Sequence, residues 1–331
     1  MNLKKLKMKS NKNIKKIFIT GAAGFVGSHV VENLYTEYPK SKFILFDKVT
    51  YAANKKYIKN LLNKENVEFW RGDLINTSLL KKLLNKTDLA INIAAESHVD
   101  NSFGNSLQFT KTNTLGTHSF LESCRINNVK KIIHVSTDEV YGENPGKAFN
   151  EKQYLNPTNP YSASKAGADM IANSYIYSYK QPIIIVRANN IFGIRQYPEK
   201  LIPKTIIYFL KNKKMTIHGD GRYFRYFLSV EDFCNGLSLI IKFGNPGDIF
   251  NIASNNEYKI TDVVKKIGKI LKINIKNQIK YVKNRPFNDQ SYNISCNKLK
   301  KLGWKTSREL YQELPEICRW YLENKILYKN I

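Results

Sequence analysis

Short runs of β-branched residues alternate with helical patterns between residues 16 and 188, and this alternation restricts the fold more than any other feature. The apolar runs are KIFIT, KFILFD, LAINIAA, KKIIHVS and QPIIIVRA, and the first is followed by the helical pattern GFVGSHVVENLYTEY. Strands that alternate with amphipathic helices form a parallel sheet covered by helices on both faces. We therefore predict a doubly wound α/β fold.

A glycine-rich motif follows the first strand. The sequence TGAAGFVGSHV places Gly21, Gly24 and Gly27 between this strand and a helix. Such glycines permit a tight turn, close approach of the backbone to a pyrophosphate and close helix packing, and the helix N-terminus stabilises the anion. A turn without a ligand would also use glycine, but Asp47 follows Gly27 by 20 residues, where a carboxylate can bind a ribose hydroxyl. The motif predicts a Rossmann-type NAD site.

Two residues near this motif leave alternatives open. Lys48 could pair with the 2′-phosphate of NADP, but Asp47 would repel that phosphate, so NAD is favoured. Asp73 and Leu74 in RGDLIN follow a further strand and are candidates for the adenine end of the cofactor. A helix N-cap would be an equally good use of Asp73.

The segment STDEVYG puts two adjacent acids, Asp138 and Glu139, directly after an apolar run. Neighbouring side chains on a regular strand point to opposite faces, so both acids serve one pocket only if the strand ends at about Ser136. One ionised carboxylate disfavours ionisation of the other, which suits the pair to opposite acid and base roles. A surface loop with two solvated acids is the alternative.

The segment NPYSASKAGADM places Tyr161 and Lys165 four residues apart, on one face of a helix. A phenol has a pKa of about 10, and we expect the ammonium, together with a nicotinamide cation, to favour the phenolate. Tyr161 is then a candidate base at a sugar hydroxyl. Surface helices often have this spacing too, but the glycine motif and the strand-end residues Ser136 and Thr137 favour the catalytic interpretation.

Composition restricts the partners. The net charge is +26 with lysines spread along the chain, which indicates an anionic small substrate rather than nucleic acid. The four cysteines show no C-x-x-C spacing and are expected to be reduced, and the histidines show no metal-ligand spacing. No apolar stretch reaches the roughly 18 residues of a membrane span, and no secretory signal is evident, so we expect a cytoplasmic protein.

Together these motifs resemble the extended short-chain dehydrogenase/reductase superfamily and, within it, the nucleotide-sugar 4,6-dehydratases. The resemblance runs from about residue 16 to residue 304 and is carried by DKVTYAANKKYI, AAESHVDNS, NTLGTHSFLESC, STDEVYG, PYSASKAGADM, PEKLIP and NRPFNDQSY. The segments IHGDG, NRPFNDQSY and KLKKLGW are most similar to the UDP-glucose 4,6-dehydratases that begin rhamnose synthesis in plants. The dTDP-glucose enzymes are close behind.

The resemblance implies a redox-neutral reaction with NAD that makes a 4-keto-6-deoxy sugar. Tyr161, helped by Thr137, takes the proton of the 4-hydroxyl while hydride leaves C4, and the new ketone acidifies C5. Glu139 then acts as the base at C5 and Asp138 protonates the departing 6-hydroxyl. Hydride finally returns to C6.

The resemblance also implies two sets of binding residues. Beyond Gly21, Gly24, Gly27 and Asp47, the cofactor set contains Phe25, Val26, Lys48, Thr50, Asp73, Leu74, Ala94, Ala95, Ser97, Thr112, Tyr161 and Lys165. The substrate set contains Ser97, Asn190, Lys200, Leu201, His218, Arg225, Asn251, Arg285 and Asn288. Arg225 and Arg285 are expected to bind the diphosphate. Lys200 and Arg225 could instead be solvated charges, and His218 and Asn251 could be satisfied structural groups.

Several positions depart from the bacterial dTDP-glucose enzymes. Asn288 stands where many of them have His, and Ser291 stands where relatives often have Arg. Tyr226 and Phe227 follow Arg225, where Asp and Trp are usual. These departures favour a uridine nucleotide, so UDP-glucose is predicted over dTDP-glucose.

Related functions are distinguished by the acid pair. Decarboxylases of UDP-glucuronate usually have Ser where Asp138 stands, and 4-epimerases need neither acid. Dehydratases that invert C5 of UDP-N-acetylglucosamine tend to pair the Asp with Lys, so Glu139 favours retention at C5. A UDP-N-acetylglucosamine 4,6-dehydratase remains the main alternative. A Rossmann-type NAD-binding regulator or a nucleic-acid-binding module would not require Tyr161, Lys165 and both acids.

We predict a division of the chain into two domains and a tail. The NAD-binding domain takes residues 14–187 and about 226–254, and a smaller mixed α/β domain of about 188–225 and 255–325 binds the nucleotide sugar. Residues 1–13 form a basic tail. Helical patterns in the second half lie near 201–212, 230–242, 261–272 and 308–323. The resemblance implies a homodimer, formed through helices that begin near Thr114 and Pro160.

Overall fold

A seven-stranded parallel sheet forms the centre of the computed structural model, which describes residues 14–284 and 291–328. The strand order is β3-β2-β1-β4-β5-β7-β11. These strands are β1 (Lys16–Thr20), β2 (Lys42–Asp47), β3 (Val67–Arg71), β4 (Leu89–Asn92), β5 (Lys131–Thr137), β7 (Ile183–Ala188) and β11 (Ile249–Ile252). The predicted Rossmann-type α/β fold is confirmed.

Helices cover both faces of this sheet because successive strand residues point to opposite sides. Ile17 and Ile19 pack in one core cluster with α1 (Phe25–Glu37) and α9 (Val230–Phe243). Phe18 packs in a second cluster on the other face, and the helices there are α3 (Thr77–Leu84), α6 (Gly116–Ile126) and α7 (Pro160–Tyr179). Shorter helices connect these elements: α2 (Lys59–Leu62), α4 (Val99–Gly104), α5 (Ser106–Phe109) and a π-helical segment, Thr110–Leu115.

A third core cluster lies in the second half of the chain, among α8 (Leu201–Leu210), α10 (Ile260–Ile270) and α12 (Leu310–Glu323). With α9, these helices match the four helical patterns predicted from the sequence. A further helix is α11 (Asn297–Lys300). Small sheets accompany them, made of β8 (Asn190–Phe192) with β10 (Phe224–Ser229) and β12 (Glu257–Lys259), of β9 (Met215–His218) with β13 (Ile279–Val282), and of β6 (Asn144–Phe149) with β14 (Tyr292–Ile294).

The carboxyl ends of the parallel strands share one edge of the central sheet. The glycine motif follows β1 at this edge, Asp47 ends β2, Thr137 ends β5 and Ala188 ends β7. Ligands of open α/β sheets bind at this edge. The fold therefore brings together motifs that are more than 160 residues apart in the sequence.

Candidate active site

The glycine motif leaves the N-terminus of α1 open to an anion. Gly21 has a φ of +67°, and a Cβ on Gly27 would lie 1.9 Å from the Gly21 carbonyl oxygen, so the close packing of helix on strand requires glycine. A Cβ on Gly24 would meet only this oxygen, at 3.3 Å, and no side chain caps the helix. The first backbone N–H groups of α1 can therefore point at a bound pyrophosphate.

Asp47 joins the end of β2 to the glycine motif. Its carboxylate accepts hydrogen bonds from the backbone N–H of Ala23 at 2.9 Å and of Val49 at 2.7 Å. Burial raises the pKa of Asp47, and these two hydrogen bonds oppose the rise. An aspartate in this place fits the ribose end of a dinucleotide.

Lys48 and Asp73 form an ion pair beside this site, with 2.7 Å between Nζ and Oδ2. The alternative that Asp73 caps a helix is wrong, because Asn76 is the N-cap of α3 and accepts a hydrogen bond from the Leu79 N–H at 3.1 Å. Asp73 instead accepts from the Ile75 N–H at 3.3 Å. The other oxygen of Asp73 pairs with Lys48. Because Lys48 already has this partner, it is less available to bind a 2′-phosphate.

The other residues of the predicted cofactor set fall into two groups. Phe25, Val26, Ala95, Ser97, Tyr161 and Lys165 line one cavity of about 330 Å³. Thr50, Leu74 and Ala94 follow β2, β3 and β4, and Thr112 lies in the π-helical segment. The Leu74 side chain is buried in the core beside Gly116, and the Thr112 hydroxyl accepts a hydrogen bond from Gln108.

The two acids lie on a 3₁₀ turn, Asp138–Tyr141, which we call the acid turn. β5 ends at Thr137, so the regular strand stops where the sequence required it to stop. The Thr137 hydroxyl donates to Asp138 Oδ1 at 3.1 Å and accepts from the Glu139 N–H at 3.3 Å. Asp138 is 1% exposed and Glu139 is 8% exposed, which excludes the solvated surface loop.

Burial and the neighbouring acid both disfavour ionised Asp138. Desolvation is the larger cause and Glu139 the next, and together they raise the pKa of Asp138 to about 7. Asn189 donates to Asp138 Oδ2 at 2.7 Å, and Asn159 donates to Glu139 Oε2 at 3.3 Å. Glu139 and Thr137 line the cavity, whereas Asp138 lies behind them and contacts two residues of the lining, Thr137 and Asn189.

Tyr161 and Lys165 share the first turns of α7, as predicted. Asn159 caps this helix and forms a capping box with Ser162. Lys165 Nζ donates to the Val135 carbonyl oxygen at 2.7 Å, which ties the helix to β5. Both side chains line the cavity beside the acid turn.

Burial dominates the electrostatics of Tyr161 and Lys165. Burial raises the pKa of Tyr161, and Glu139 and Asp138 raise it further, while a hydrogen bond with Thr137 opposes the rise. Burial lowers the pKa of Lys165 to about 8, and Asp169 opposes this change. Within the protein itself, burial and the two acids therefore favour the neutral phenol of Tyr161. The expectation that Lys165 together with a nicotinamide cation favours the phenolate stays a prediction.

The same cavity extends to most of the predicted substrate residues. Asn190, Lys200, Leu201, His218 and Arg225 line it. Lys200 Nζ donates to the Ser97 carbonyl oxygen at 2.5 Å, and the Arg225 guanidinium lies 5.8 Å from the centre of the Tyr292 ring. A single cleft thus runs from the glycine motif past the acid turn to a group of basic residues.

Asn251 is a correction to the predicted substrate set. Its side chain is fully buried, accepts a hydrogen bond from the Tyr141 hydroxyl at 2.9 Å and donates to the Ser295 carbonyl oxygen at 3.1 Å. It is a satisfied structural group, since its polar atoms have protein partners away from the cavity. Arg285 and Asn288 lie outside the described residues.

Sequence reasoning missed Asn159 and Asn189, which hold the two acids. The dipeptide Asn159-Pro160 before Tyr161 is a signal for a helix N-cap. Asn189 directly precedes the predicted residue Asn190 at the carboxyl end of β7. Neither signal shows from the sequence which acid the amide would contact.

Residues 14–284 and 291–328 contain neither a metal-binding cluster nor a membrane-spanning helix. Within these ranges no three His, Cys, Asp or Glu residues are grouped so that they could hold a metal ion. No helix in the same ranges combines the length and apolarity needed to cross a membrane. The four cysteines, Cys124, Cys234, Cys296 and Cys318, are buried and unpaired.

Comparisons with known proteins agree with this geometry. A family model described as GDP-mannose 4,6 dehydratase matches residues 18–317. The Arabidopsis thaliana protein named trifunctional UDP-glucose 4,6-dehydratase/UDP-4-keto-6-deoxy-D-glucose 3,5-epimerase/UDP-4-keto-L-rhamnose-reductase RHM1 is 43% identical over 316 residues. The match covers 94% of this chain and 47% of the plant protein, so the chain spans about half the length of that relative.

Two further proteins are similar over nearly their whole length. The dTDP-D-glucose 4,6-dehydratase of Homo sapiens is 37% identical over 324 residues, which cover 96% of this chain and 93% of the human protein. The crystal structure of DesIV, a dTDP-glucose 4,6-dehydratase from Streptomyces venezuelae with NAD and TYD bound, matches with a TM-score of 0.92 at 32% identity. That match covers 95% of this chain and 99% of DesIV.

Proposed function

The chain belongs to the nucleotide-sugar 4,6-dehydratases of the extended short-chain dehydrogenase/reductase superfamily, and on this premise we propose that it is an NAD-dependent UDP-glucose 4,6-dehydratase. The observation that carries the proposal is the burial of the acid turn against Tyr161 and Lys165 in one cavity beside the glycine motif. Because the reaction removes water without net oxidation, we assign it to the lyases.

The residues around the glycine motif fit NAD. The open N-terminus of α1 suits the pyrophosphate and Asp47 suits the adenosine ribose. Tyr161 and Lys165, which line the cavity, would hold the nicotinamide end. Bound NAD supplies a hydride acceptor that later returns the same hydride. The ion pair of Lys48 with Asp73 supports NAD over NADP.

The first half-reaction uses Tyr161 and Thr137. As the phenolate that the charge of bound NAD would favour, Tyr161 takes the proton of the 4-hydroxyl, and the cofactor would accept the C4 hydride. The resulting ketone at C4 makes the C5 proton acidic. Lys165 lines the same cavity and would favour the phenolate as an ammonium, and the Thr137 hydroxyl is hydrogen-bonded to Tyr161.

The second half-reaction uses the acid turn. Glu139 takes the C5 proton, the bond from C6 to its oxygen breaks, and Asp138 supplies the proton that makes water. Glu139 then returns its proton to C5, and the reduced cofactor would return the hydride to C6. The raised pKa of Asp138 supports its role as the acid, since it keeps a proton near neutral pH.

Thr137 completes the proton balance. Each turnover leaves Tyr161 with one proton more and Asp138 with one proton fewer. The Thr137 hydroxyl contacts both side chains, so it would relay the proton from Tyr161 to Asp138 once the positive charge of the nicotinamide ring of bound NAD lowers the pKa of Tyr161. The same contact connects Asp138 to the cavity that it does not itself line.

Sequence identity to relatives and the residues beside Arg225 at the basic end of the cleft support the choice of UDP-glucose. The plant relative named for UDP-glucose is 43% identical, whereas the human relative named for dTDP-glucose is 37% identical. Of the residues that depart from the bacterial dTDP-glucose enzymes, Tyr226 and Phe227 follow Arg225 on β10. Ser291 donates to Glu257 Oε1 at 2.5 Å, and Glu257 pairs with Tyr226 across β10 and β12.

The experiment that tests this proposal incubates purified protein and NAD with UDP-glucose, dTDP-glucose or UDP-N-acetylglucosamine in heavy water and identifies the products by NMR. We expect UDP-glucose to lose its 6-hydroxyl, to gain one deuteron at C5 and to react with the highest kcat/KM. Faster reaction of dTDP-glucose or UDP-N-acetylglucosamine would contradict the choice of substrate. An unchanged sugar in all three reactions would contradict the dehydratase itself.

We also propose a homodimer that forms through α6 and α7. Large apolar side chains are exposed on these helices and the segment before them: Leu107, Leu115, Ile126, Met170, Tyr177 and Tyr179. Burying them against a second copy is favourable. The division into two domains, supported by the separate third core cluster, and the cytoplasmic location stay predictions.

A further inference from the structure

Among the described residues, Arg187 is the largest fully buried side chain by volume. It joins two of the elements that carry the proposed chemistry. Its Nε donates to Asp169 Oδ2 on α7 at 2.9 Å, and one terminal nitrogen donates to the Tyr141 hydroxyl on the acid turn at 2.8 Å. The guanidinium also lies over the Tyr141 ring, 4.7 Å from its centre. A fixed fork of donors can make both hydrogen bonds at once.

The α7 end of this connection lies one helical turn beyond Lys165. Asp169 is fully buried, and its Oδ1 is 3.4 Å from Nε2 of His134 on β5. Burial acts to raise the pKa of Asp169, but Arg187 and His134 outweigh it and lower this pKa to about 2. Asp169 is therefore a permanent anion that attaches Arg187 to the helix of Tyr161 and Lys165.

The other end of the connection closes the acid turn. The Tyr141 hydroxyl accepts from Arg187 and donates to Asn251 Oδ1 at 2.9 Å, so its hydrogen-bonding capacity is fully used on the side away from the cavity. Gly142 follows with a φ of +80°, and its N–H donates back to the Glu139 carbonyl oxygen at 3.2 Å. Holding Tyr141 therefore holds the two-residue backbone segment that carries Asp138 and Glu139.

We propose that Arg187 and Tyr141 are positioning residues that keep the acid turn in register with α7, so that elimination can follow oxidation at one bound sugar. The proposal rests on the proposed function. Oxidation at C4 uses Tyr161, Lys165 and Thr137, whereas elimination also needs both acids. Releasing Tyr141 from Arg187 removes one anchor of the acid turn, while α7 keeps its own capping box and its bond to β5.

This separation predicts a split between the two half-reactions. A displacement of about 1 Å at a reacting group can cost about 100-fold in rate. Loss of the Tyr141 hydroxyl is expected to slow elimination about 10-fold to 100-fold and to change the first hydride transfer less than about twofold. If Tyr141 only stabilised the fold, the ratio of the elimination rate to the rate of the first hydride transfer would be unchanged in the molecules that remain folded.

The test compares Tyr141→Phe with a matched control, Tyr35→Phe. Both variants keep the ring and remove one hydroxyl that donates to an asparagine Oδ1, but Tyr35 lies on α1 and bonds Asn66, and neither residue lines the cavity. Single-turnover reactions with UDP-glucose are followed by reduced-nicotinamide absorbance and by mass spectrometry of the quenched sugar. Tyr141→Phe is expected to accumulate the 4-keto hexose with an intact 6-hydroxyl, and Tyr35→Phe is expected to behave as wild type.

A second variant and a second readout keep the test independent of one substitution. Arg187→Lys keeps a cation beside Asp169 but lacks the fork, so it should show the same split. Hydrogen exchange of the protein alone should show the Glu139 and Gly142 amides exchanging at least about tenfold faster in both variants, with α7 unchanged. The inference would be overturned if the variants slowed oxidation and elimination equally, or if neither the ratio of these two rates nor the amide exchange rates differed from wild type. A wild-type protein that leaves every sugar intact would instead overturn the proposed function.

Discussion

Replacing Asp138 by asparagine should make the protein more stable and less active, and both effects follow from the burial of one carboxyl. The new carboxamide has nearly the same shape, and its oxygen can accept the hydrogen bond that Asn189 donates at 2.7 Å. It cannot ionise, and it cannot donate a proton to a departing hydroxyl. The fold should therefore persist while one step of the reaction fails.

The magnitude follows from the pKa of Asp138. Burial and Glu139 raise this pKa from an ordinary 3.8 to about 7. The folded state then binds a proton that the unfolded state has released, so stability is lost as the pH rises from about 4 to about 7. The difference between the two pKa values corresponds to about 4 kcal/mol. Asp138→Asn removes this loss, and the missing acid should slow elimination about 10²-fold to 10⁴-fold.

The assay has two parts. Urea unfolding gives the free energy of unfolding of Asp138→Asn relative to wild type. This difference should be larger at about pH 8 than at about pH 4, by about 4 kcal/mol in favour of the variant. Asp262→Asn, at an exposed position on α10, should show little such growth. Single-turnover kinetics should show elimination slowed far more than the first hydride transfer. An advantage that does not grow with pH would refute the electrostatic reasoning, and equal slowing of both steps would remove Asp138 from its acid role.

Five other substitutions test the cofactor site and the interface. Gly27→Ala should lower the free energy of unfolding, measured in urea, by about 1–3 kcal/mol, because the added Cβ would lie 1.9 Å from the Gly21 oxygen. Gly24→Ala should fold normally, because its Cβ would lie 3.3 Å from the same oxygen, but it should bind NAD more weakly by calorimetry. Asp73→Asn should free its paired lysine and improve the Kd for NADP relative to NAD about fivefold, since such an exposed pair contributes about 1 kcal/mol; an unchanged ratio of Kd values would contradict this. Tyr177→Glu should convert a dimer to a monomer in analytical ultracentrifugation, whereas Tyr154→Glu, at a still more exposed tyrosine outside these helices, should not. A dimer that survives in both variants would exclude this interface.

The sequence predicted the elements of the central sheet well because their signals are local. Each apolar run of β-branched residues became a strand with nearly the predicted bounds, and the glycine motif lies between β1 and α1. The end of β5 could be predicted for a chemical reason. Two adjacent acids serve one pocket only off the regular strand, and β5 ends at Thr137, one residue later than expected.

What the sequence did not predict depends on contacts between distant segments. Asn251 looked like a substrate residue, but the pairing of β11 with β7 buries it beneath the acid turn. Arg187 carried no motif, although it lies on a predicted strand, and its partner Asp169 follows Lys165 by four residues. The pKa of Tyr161 could not be predicted from its spacing to Lys165, because the depth of burial of both groups decides it.

The most direct measurement follows a deuterium atom placed at C4 of UDP-glucose through one reaction in ordinary water. A dehydratase that oxidises C4, eliminates water across C5 and C6 and returns the same hydride predicts a product with the deuterium at C6 and none in the solvent or in free cofactor. Deuterium retained at C4 of an epimerised sugar, or released from the product altogether, would contradict the account.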